Sequence, residues 1–287
     1  MWSLKRTLVR FGRLRKFRTI RRGVPIDTQA HEAFLRHRQV WQQKAVLRSI
    51  YNEEFFARLL ASRKAGGVSV EVGGGAGFFK EFSPSVICTD LIQSPWLDAV
   101  VDAQRLPFRS SSVSNIFGLD MLHHIASPMM FLNEAQRVLI ESGRIILVEP
   151  WITPFSYFIY RYLHQEDCEL SARPWDAKEG ELKLGKKAFE GNQAIPYLLF
   201  GPRNLSRTLE MLKGLRPVAI EPFCLFAYLL SCGFKPMNLL PVSFYPAVAK
   251  LERRTLQVWR RLAALRVLLV LEKTAPMPGR NSDQEQP

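Results

Sequence analysis

One short stretch constrains this chain more than any other. Val68-Ser69-Val70-Glu71-Val72 alternates as a strand does, runs into Gly73-Gly74-Gly75-Ala76-Gly77, and continues into a short helix at Phe78–Phe82. A strand that passes into a helix through a loop nearly free of side chains lets a ligand approach the backbone closely, and a helix N-terminus favours anionic groups. The sequence that follows repeats the alternation. Residues 86–89 read as a second strand ending at Asp90, 99–101 as a third ending at Asp102, and 114–119 as a fourth. Ser127-Pro128 opens a helix, with serine as N-cap and proline at the first helical position. Its apolar face is Phe131, Ala135, Val138 and Leu139, and Glu141-Ser142-Gly143 ends it. A fifth strand, 144–149, is apolar between charged ends, as expected where helices cover both faces of a sheet. Strand and helix in turn over 68–149 predict a parallel α/β sheet.

Upstream, 39–64 is predicted as one helix, with Val40, Leu47, Ile50, Tyr51, Phe55 and Leu59 at three- and four-residue spacings and Gly66-Gly67 as its stop. From 151 to about 222 the pattern loosens. Thr153-Pro154 starts a helix on which Phe155, Phe158, Ile159 and Tyr162 share a face, and turn-rich sequence follows around Pro174, Gly180, Gly185 and Gly191. Regularity returns with a helix over 223–231, a strand over 235–240, a basic helix over 247–262 and a strand at Arg266–Lys273. Residues 276–287 read as a disordered polar tail.

Composition narrows the class. The 287 residues allow one large domain or two small ones, and 47% apolar with 23% charged residues excludes collagen and bulk disorder. Net charge is +14, but residues 1–22 hold nine basic side chains and no acid, which leaves +5 on everything else. The strong field therefore belongs to a basic arm, residues 1–25, ahead of a mildly basic body. Four cysteines without a C-x-x-C pair are too sparse for a disulfide scaffold and read as reduced thiols of a cytoplasmic protein. No uncharged run reaches the length of a membrane span, and the basic N-terminus lacks the apolar core of a secretory signal.

Three phosphate- or nucleoside-binding patterns compete for the glycine cluster. A dinucleotide fingerprint needs glycine at 78, which is Phe, and a P-loop needs glycine before Lys80. The third, acid-x-G-x-G-x-G, fits Glu71, Gly73, Gly75 and Gly77. It resembles motif I of class I S-adenosylmethionine (SAM)-dependent methyltransferases. Four further stretches match that family in order: Asp90 at the second strand's end, 15 residues after Gly75; Asp102-Ala-Gln-Arg-Leu106-Pro107-Phe108; 115–125; and 134–149. The resemblance is to the type 11-like branch of small-molecule methyltransferases. It implies a Rossmann-like fold: a mostly parallel seven-stranded sheet with an antiparallel last strand, helices on both faces, and an insertion after the fifth strand. A methyltransferase domain would span 39–275, with 151–222 as a substrate-side insertion or lid. Gly74 departs from the cysteine or other small residue frequent at its position.

The resemblance implies SAM as cofactor, held by Glu71, Gly73, Gly75, Gly77, Asp90 and Asp102, with neighbours Leu91 and Ala103. Asp90 would accept from the ribose hydroxyls, Asp102 would lie near the adenine amino group, and Asp120 near the methionine part. Methyl transfer is an in-line displacement: the cofactor supplies the electrophile, and the protein binds it, excludes water and aims the nucleophile. A hydroxyl nucleophile also needs a base. Ligands bind outside the carboxyl ends of parallel strands, which makes His124 and His123 the catalytic candidates; plain packing is the alternative for both. Tyr157, Arg161 and His164, three and four apart, are candidate substrate contacts or simply a helix edge. Residues 189–200, with Asn192-Gln193, are a candidate pocket roof. His164-x-Glu166-Asp167 has metal-ligand types in one short cluster, and no metal is predicted from it.

The expected acceptor is a small molecule or a lipid-linked saccharide or isoprenoid. The arm reads either as a solvated, disordered extension or as a segment that meets an anionic membrane surface, where each nearby basic residue contributes about 1 kcal/mol. Interleaved Trp2, Leu4, Leu8 and Phe11 favour that over nucleic acid, giving a cytoplasmic protein peripheral to the inner membrane face. No N/D-P-P-Y/F tetrapeptide follows the fourth strand, where Asp120-Met121-Leu122-His123 stands, so nucleic-acid methylation is the weaker alternative. A non-catalytic binding protein that keeps the fold is the other.

Overall fold

The computed structural model describes residues 28–176, 191–224 and 226–275; the basic arm, the tail, Gly180 and Gly185 lie outside them. Seven strands form one sheet: β1 (Ser69–Val72), β2 (Ile87–Asp90), β3 (Ala99–Val100), β4 (Val113–Leu119), β5 (Leu139–Pro150), β6 (Leu215–Phe223) and β7 (Arg266–Lys273). Their order is β3-β2-β1-β4-β5-β7-β6. All pairs among β1–β5 are parallel, and β7 runs antiparallel to both β5 and β6; an antiparallel last strand is what the resemblance implies. Chain order reverses between β1 and β4, which places a crevice at the carboxyl ends of those two strands.

Helices cover both faces. One carries α1 (Thr28–Gln43), α2 (Ala45–Ile50), a π-helical turn (Tyr51–Phe56), α3 (Ala57–Ala61), α4 (Phe78–Phe82), α9 (Ala227–Ser231) and α10 (Tyr245–Ala263); the other carries α5 (Pro128–Val138), α6 (Pro154–Tyr162), α7 (Ile195–Phe200) and α8 (Leu205–Met211). β5 shows why its sequence is continuously apolar. Ile145 and Leu147 pack with Leu132, Ala135 and Leu269, while Ile146 and Val148 pack with Phe117, Leu268 and Val270 on the opposite side. Burying each such side chain contributes about 1.5–3 kcal/mol. The four cysteines are unpaired thiols. Among the described residues no helix is long and apolar enough to cross a membrane.

The structure corrects four sequence expectations. The helix expected over 39–64 starts at Thr28 and breaks at Lys44, whose φ and ψ of −105° and 88° leave the helical region. There the buried Lys44 ammonium lies 2.8, 2.7, 2.7 and 2.9 Å from the carbonyl oxygens of Ser231, Gly233, Lys235 and Met237. For the same reason 235–240 is no strand: two of its carbonyls face Lys44 instead of a sheet neighbour. The missing strand is β6, disguised by Pro217 and Pro222. It is the sheet's edge, where proline is tolerated, and its register shifts between Pro217 and Ala219. β6 also takes Phe223, so α9 starts only at Ala227, and the segment between β5 and β6 covers 151–214. Third, β5 begins at Leu139, immediately after α5. Fourth, α6 turns its predicted apolar face outward. Thr153 and Ser156 form a capping box, and the Tyr160 hydroxyl donates to the Leu265 carbonyl, so Ser156 and Tyr160 are buried while Phe158 and Tyr162 are exposed.

Candidate active site

β1 delivers its glycine loop to the crevice. Gly73, Gly75 and Gly77 have φ of 74°, 47° and 74°, a region costly for residues with a Cβ. Gly77 is the left-handed cap from which α4 starts. Asp90, ending β2, ties the loop down: Oδ2 accepts from the Gly75 N–H at 2.9 Å and Oδ1 from the Ile92 N–H at 2.8 Å. Burial raises the Asp90 pKa against the pull of those N–H groups. A Cβ on Gly74 would lie 2.4 Å from Cys88 Sγ and 2.8 Å from Glu71 Oε2, so the sulfur of β2 fills the space beside this glycine. From above, the α1 residue Phe34 lies against Gly75, and Arg38 Nη1 donates to the Ala76 carbonyl at 2.7 Å. Asp102 Oδ1 accepts from the Gln104 N–H at 2.9 Å, and Ala103 packs against the core. Leu91 is half exposed.

The loop after β4 carries the second group. Glu149, fully buried near the end of β5, accepts from the N–H groups of Met121 and Leu122 at 2.9 and 2.8 Å and bonds His123 Nδ1 at 2.7 Å. This fixes the 3-10 turn Leu122–His124 and the His123 ring. From the segment after α6, Glu166 Oε2 comes within 3.3 Å of His123 Nε2 and 3.9 Å of His124 Nε2. Gln193 also donates to Glu166. Burial lowers the His123 pKa, but its bonds to Glu149 and Glu166 overcome that and push it up to about 9. Burial works against the Glu166 carboxylate, yet the His123 bond and the neighbouring imidazoles hold it down at about 2. A hollow of about 180 Å³ adjoins the cluster, lined by His123, Ile125, Pro128, Arg173, Asn192 and Ile195. A larger one, about 270 Å³, lies at the Lys44 junction and contains none of these strand-tip residues.

Residues 71–147, from the glycine loop through β5, match the family model described as a methyltransferase domain. These residues carry a methyltransferase domain. Solved structures similar to it include a SAM-dependent methyltransferase from Archaeoglobus fulgidus (15% identity, 79% of this chain and 94% of that one, TM-score 0.48). Another is the Haloferax volcanii complex of the Trm112 methyltransferase activator with a putative methyltransferase (15%, 88% and 100%, 0.48). A third is geranyl diphosphate C-methyltransferase from Streptomyces coelicolor (12%, 79% and 77%, 0.44). No curated protein matches the chain.

SAM is the cofactor that the sequence resemblance implies, and the residues present fit it. Glu71 is buried, and its Oε2 has no hydrogen-bond partner. Burial raises its pKa to about 7, with Cys88 and Lys80 pulling the other way and Asp90 adding to it. A buried carboxylate at the foot of a glycine loop, with only the Cys88 thiol as its side-chain hydrogen-bond neighbour, suits a ligand that brings a cationic group.

Asp120 sits differently from the other acids. It adopts a left-handed φ of 53°, and its carboxylate pairs with Arg266, the first residue of β7. Arg266 is buried and lies over the Tyr228 ring, 4.8 Å from its centroid. Of the three residues predicted to meet substrate, Tyr157 packs against the core while Arg161 and His164 are exposed. The segment after β5 instead sends Glu166 and Gln193 to His123. Glu166 was visible in the sequence only beside His164; Glu149 and Arg266 were visible only as the charged ends of apolar strands.

Proposed function

We propose that this methyltransferase transfers the SAM methyl group to a small-molecule or lipid-linked acceptor, of saccharide or isoprenoid type, bound in the hollow beside His123. The observation that carries the cofactor half of this reading is the buried Glu71 carboxylate beneath the glycine loop. Glu71, Gly73, Gly75, Gly77, Asp90 and Asp102 hold the cofactor, with Leu91 and Ala103 beside it. SAM supplies an electrophilic methyl carbon when bound. The bare loop lets it approach the backbone, and Asp90 keeps one further acceptor site on each oxygen for ribose hydroxyls. Asp120, already paired with Arg266, positions the loop after β4. On the acceptor side, His123, His124 and Glu166 face the nucleophilic group. His123, bonded to a carboxylate on each side, is a poor proton acceptor at neutral pH.

Two helices support a lipid-linked acceptor. Phe158, Tyr162 and Leu163 around α6, and Val258, Trp259 and Leu262 on the adjoining α10, are exposed beside Arg161, Arg260 and Arg261. Apolar side chains interleaved with arginines suit an anionic bilayer surface, which the arm would reinforce. The test has two parts. Calorimetry should give saturable S-adenosylhomocysteine binding; none would refute the cofactor site. Incubation with labelled SAM and lipid-linked acceptors on anionic vesicles should give methylated lipid; label only in water-soluble acceptors would refute the lipid-linked form.

A further inference from the structure

We propose that His123 Nε2, His124 Nε2 and Glu166 form a site for a divalent transition-metal cation, with a coordination position open to the adjoining hollow. The three ligand atoms lie within 4.8 Å of one another. Metal–ligand distances of about 2.0–2.2 Å in a tetrahedral site put ligand atoms about 3.3–3.6 Å apart, and His123 Nε2 is 3.3 Å from Glu166 Oε2. The second distance, 3.9 Å to His124 Nε2, needs only a small closure of the Glu166 side chain.

Orientation argues more strongly than distance. Glu149 takes His123 Nδ1 at 2.7 Å, which assigns the proton to that nitrogen when the ring is neutral and turns the Nε2 lone pair toward Glu166, His124 and the Gln193 amide, 3.3 Å away, whose contact a bound cation would replace. A buried carboxylate on the far nitrogen is the arrangement that fixes metal-ligating histidines. The walls are built for the cluster as well. The two imidazoles pack with centroids 4.1 Å apart. A Cβ on Gly191 would lie 2.8 Å from both Glu166 Oε2 and His124 Nδ1, so only a bare backbone fits behind them. Charge agrees: two carboxylates, Glu149 and Glu166, face His123, and a dication with two neutral imidazoles balances them. Two imidazoles and one carboxylate suit zinc, iron, nickel or copper better than magnesium or calcium. Asp120, His123 and Glu149 also come close together, but Asp120 is held by Arg266. A sequence pattern misses the site because Glu166 stands 43 residues beyond His123.

The role of the cation rests on the reading of the hollow as the acceptor cleft: it would hold an oxygen or nitrogen of the acceptor at the open position. The binding test needs neither cofactor nor acceptor. Untagged full-length protein, stripped with a chelator, is titrated with Co²⁺ and with Zn²⁺ alone. The expected result is one equivalent bound, with the visible absorption of a low-coordinate Co²⁺ centre that Zn²⁺ displaces. Glu166→Gln and His124→Ala should each weaken binding by at least ~10-fold. Melting curves check that both fold; if either does not, Gly191→Ala, which crowds the two ligands, should weaken binding in its place. The absence of saturable binding, or binding that these substitutions leave unchanged, overturns the proposal. S-adenosylhomocysteine affinity, measured separately on the same preparation, reports on the methyltransferase reading, so failure of one is distinguishable from failure of the other.

Discussion

The two sides of the crevice are assembled on different length scales. On the proposed cofactor side the proposed binding groups are neighbours in the chain: Gly75 bonds Asp90 across 15 residues, and all of them lie between Glu71 and Asp102. On the acceptor side His123 meets Glu149 across 26 residues and Gln193 across 70, while Asp120 meets Arg266 across 146. The first is a local turn that successive strands carry into place. The second exists only once the sheet has closed on β7 and the segment after α6 has folded over it. Substitutions on the acceptor side should therefore cost stability and function together, and those on the cofactor side should cost affinity with little loss of fold.

Four measurements sharpen or break that contrast, from the largest expected effect to the smallest. Glu149→Ala strands two N–H groups and a buried imidazole, and should destabilise the protein by about 3–5 kcal/mol in denaturant titrations; a loss under ~1 kcal/mol would show that the acceptor side is not structurally embedded. His124→Ala, only half-buried, should lower kcat by roughly 10²-fold or more while leaving S-adenosylhomocysteine affinity intact; an equal loss in both would erase the distinction between the sides. Asp90→Ala should weaken S-adenosylhomocysteine binding about tenfold or more by calorimetry, with a much smaller shift in melting temperature than Glu149→Ala produces.

The smallest effect is a pH dependence. Glu71 has a folded pKa of about 7 against an ordinary value of 4.5. The folded state then holds the proton more tightly than the unfolded one. The stabilisation is fully present below the unfolded value and is lost as pH rises through the folded value. Denaturation of the ligand-free protein should show that decline, and Glu71→Gln should remove it. Cofactor affinity should rise over the same range, because a cationic ligand favours the ionised carboxylate.

The same difference in scale decided what could be read from the chain. β1 to β4, β7 and the 144–149 half of β5 were legible because each is a short alternating or largely apolar run beside a recognisable helix. β6 was not, since Pro217 and Pro222 argue against a strand unless its edge position is known. The break at Lys44 was hidden because Val40, Leu47 and Ile50 keep helical spacing across it; only the carbonyls near residue 235 explain it. In the site, the glycines and Asp90 carry a local pattern. Nothing local marks Glu149 as the partner of His123, or Phe34 as the side chain lying on Gly75.

The Lys44 clamp has a consequence for biosynthesis. Its ammonium is met by carbonyls 187 to 193 residues further along. A nascent chain exposes Lys44 long before Ser231–Met237 leave the ribosome, so the junction of α1 and α2 has no anchor during most of translation. Contacts of such high sequence separation form late. The crevice beneath Phe34 should accordingly stay roofless until synthesis is nearly finished, with the apolar underside of α1 uncovered in the meantime.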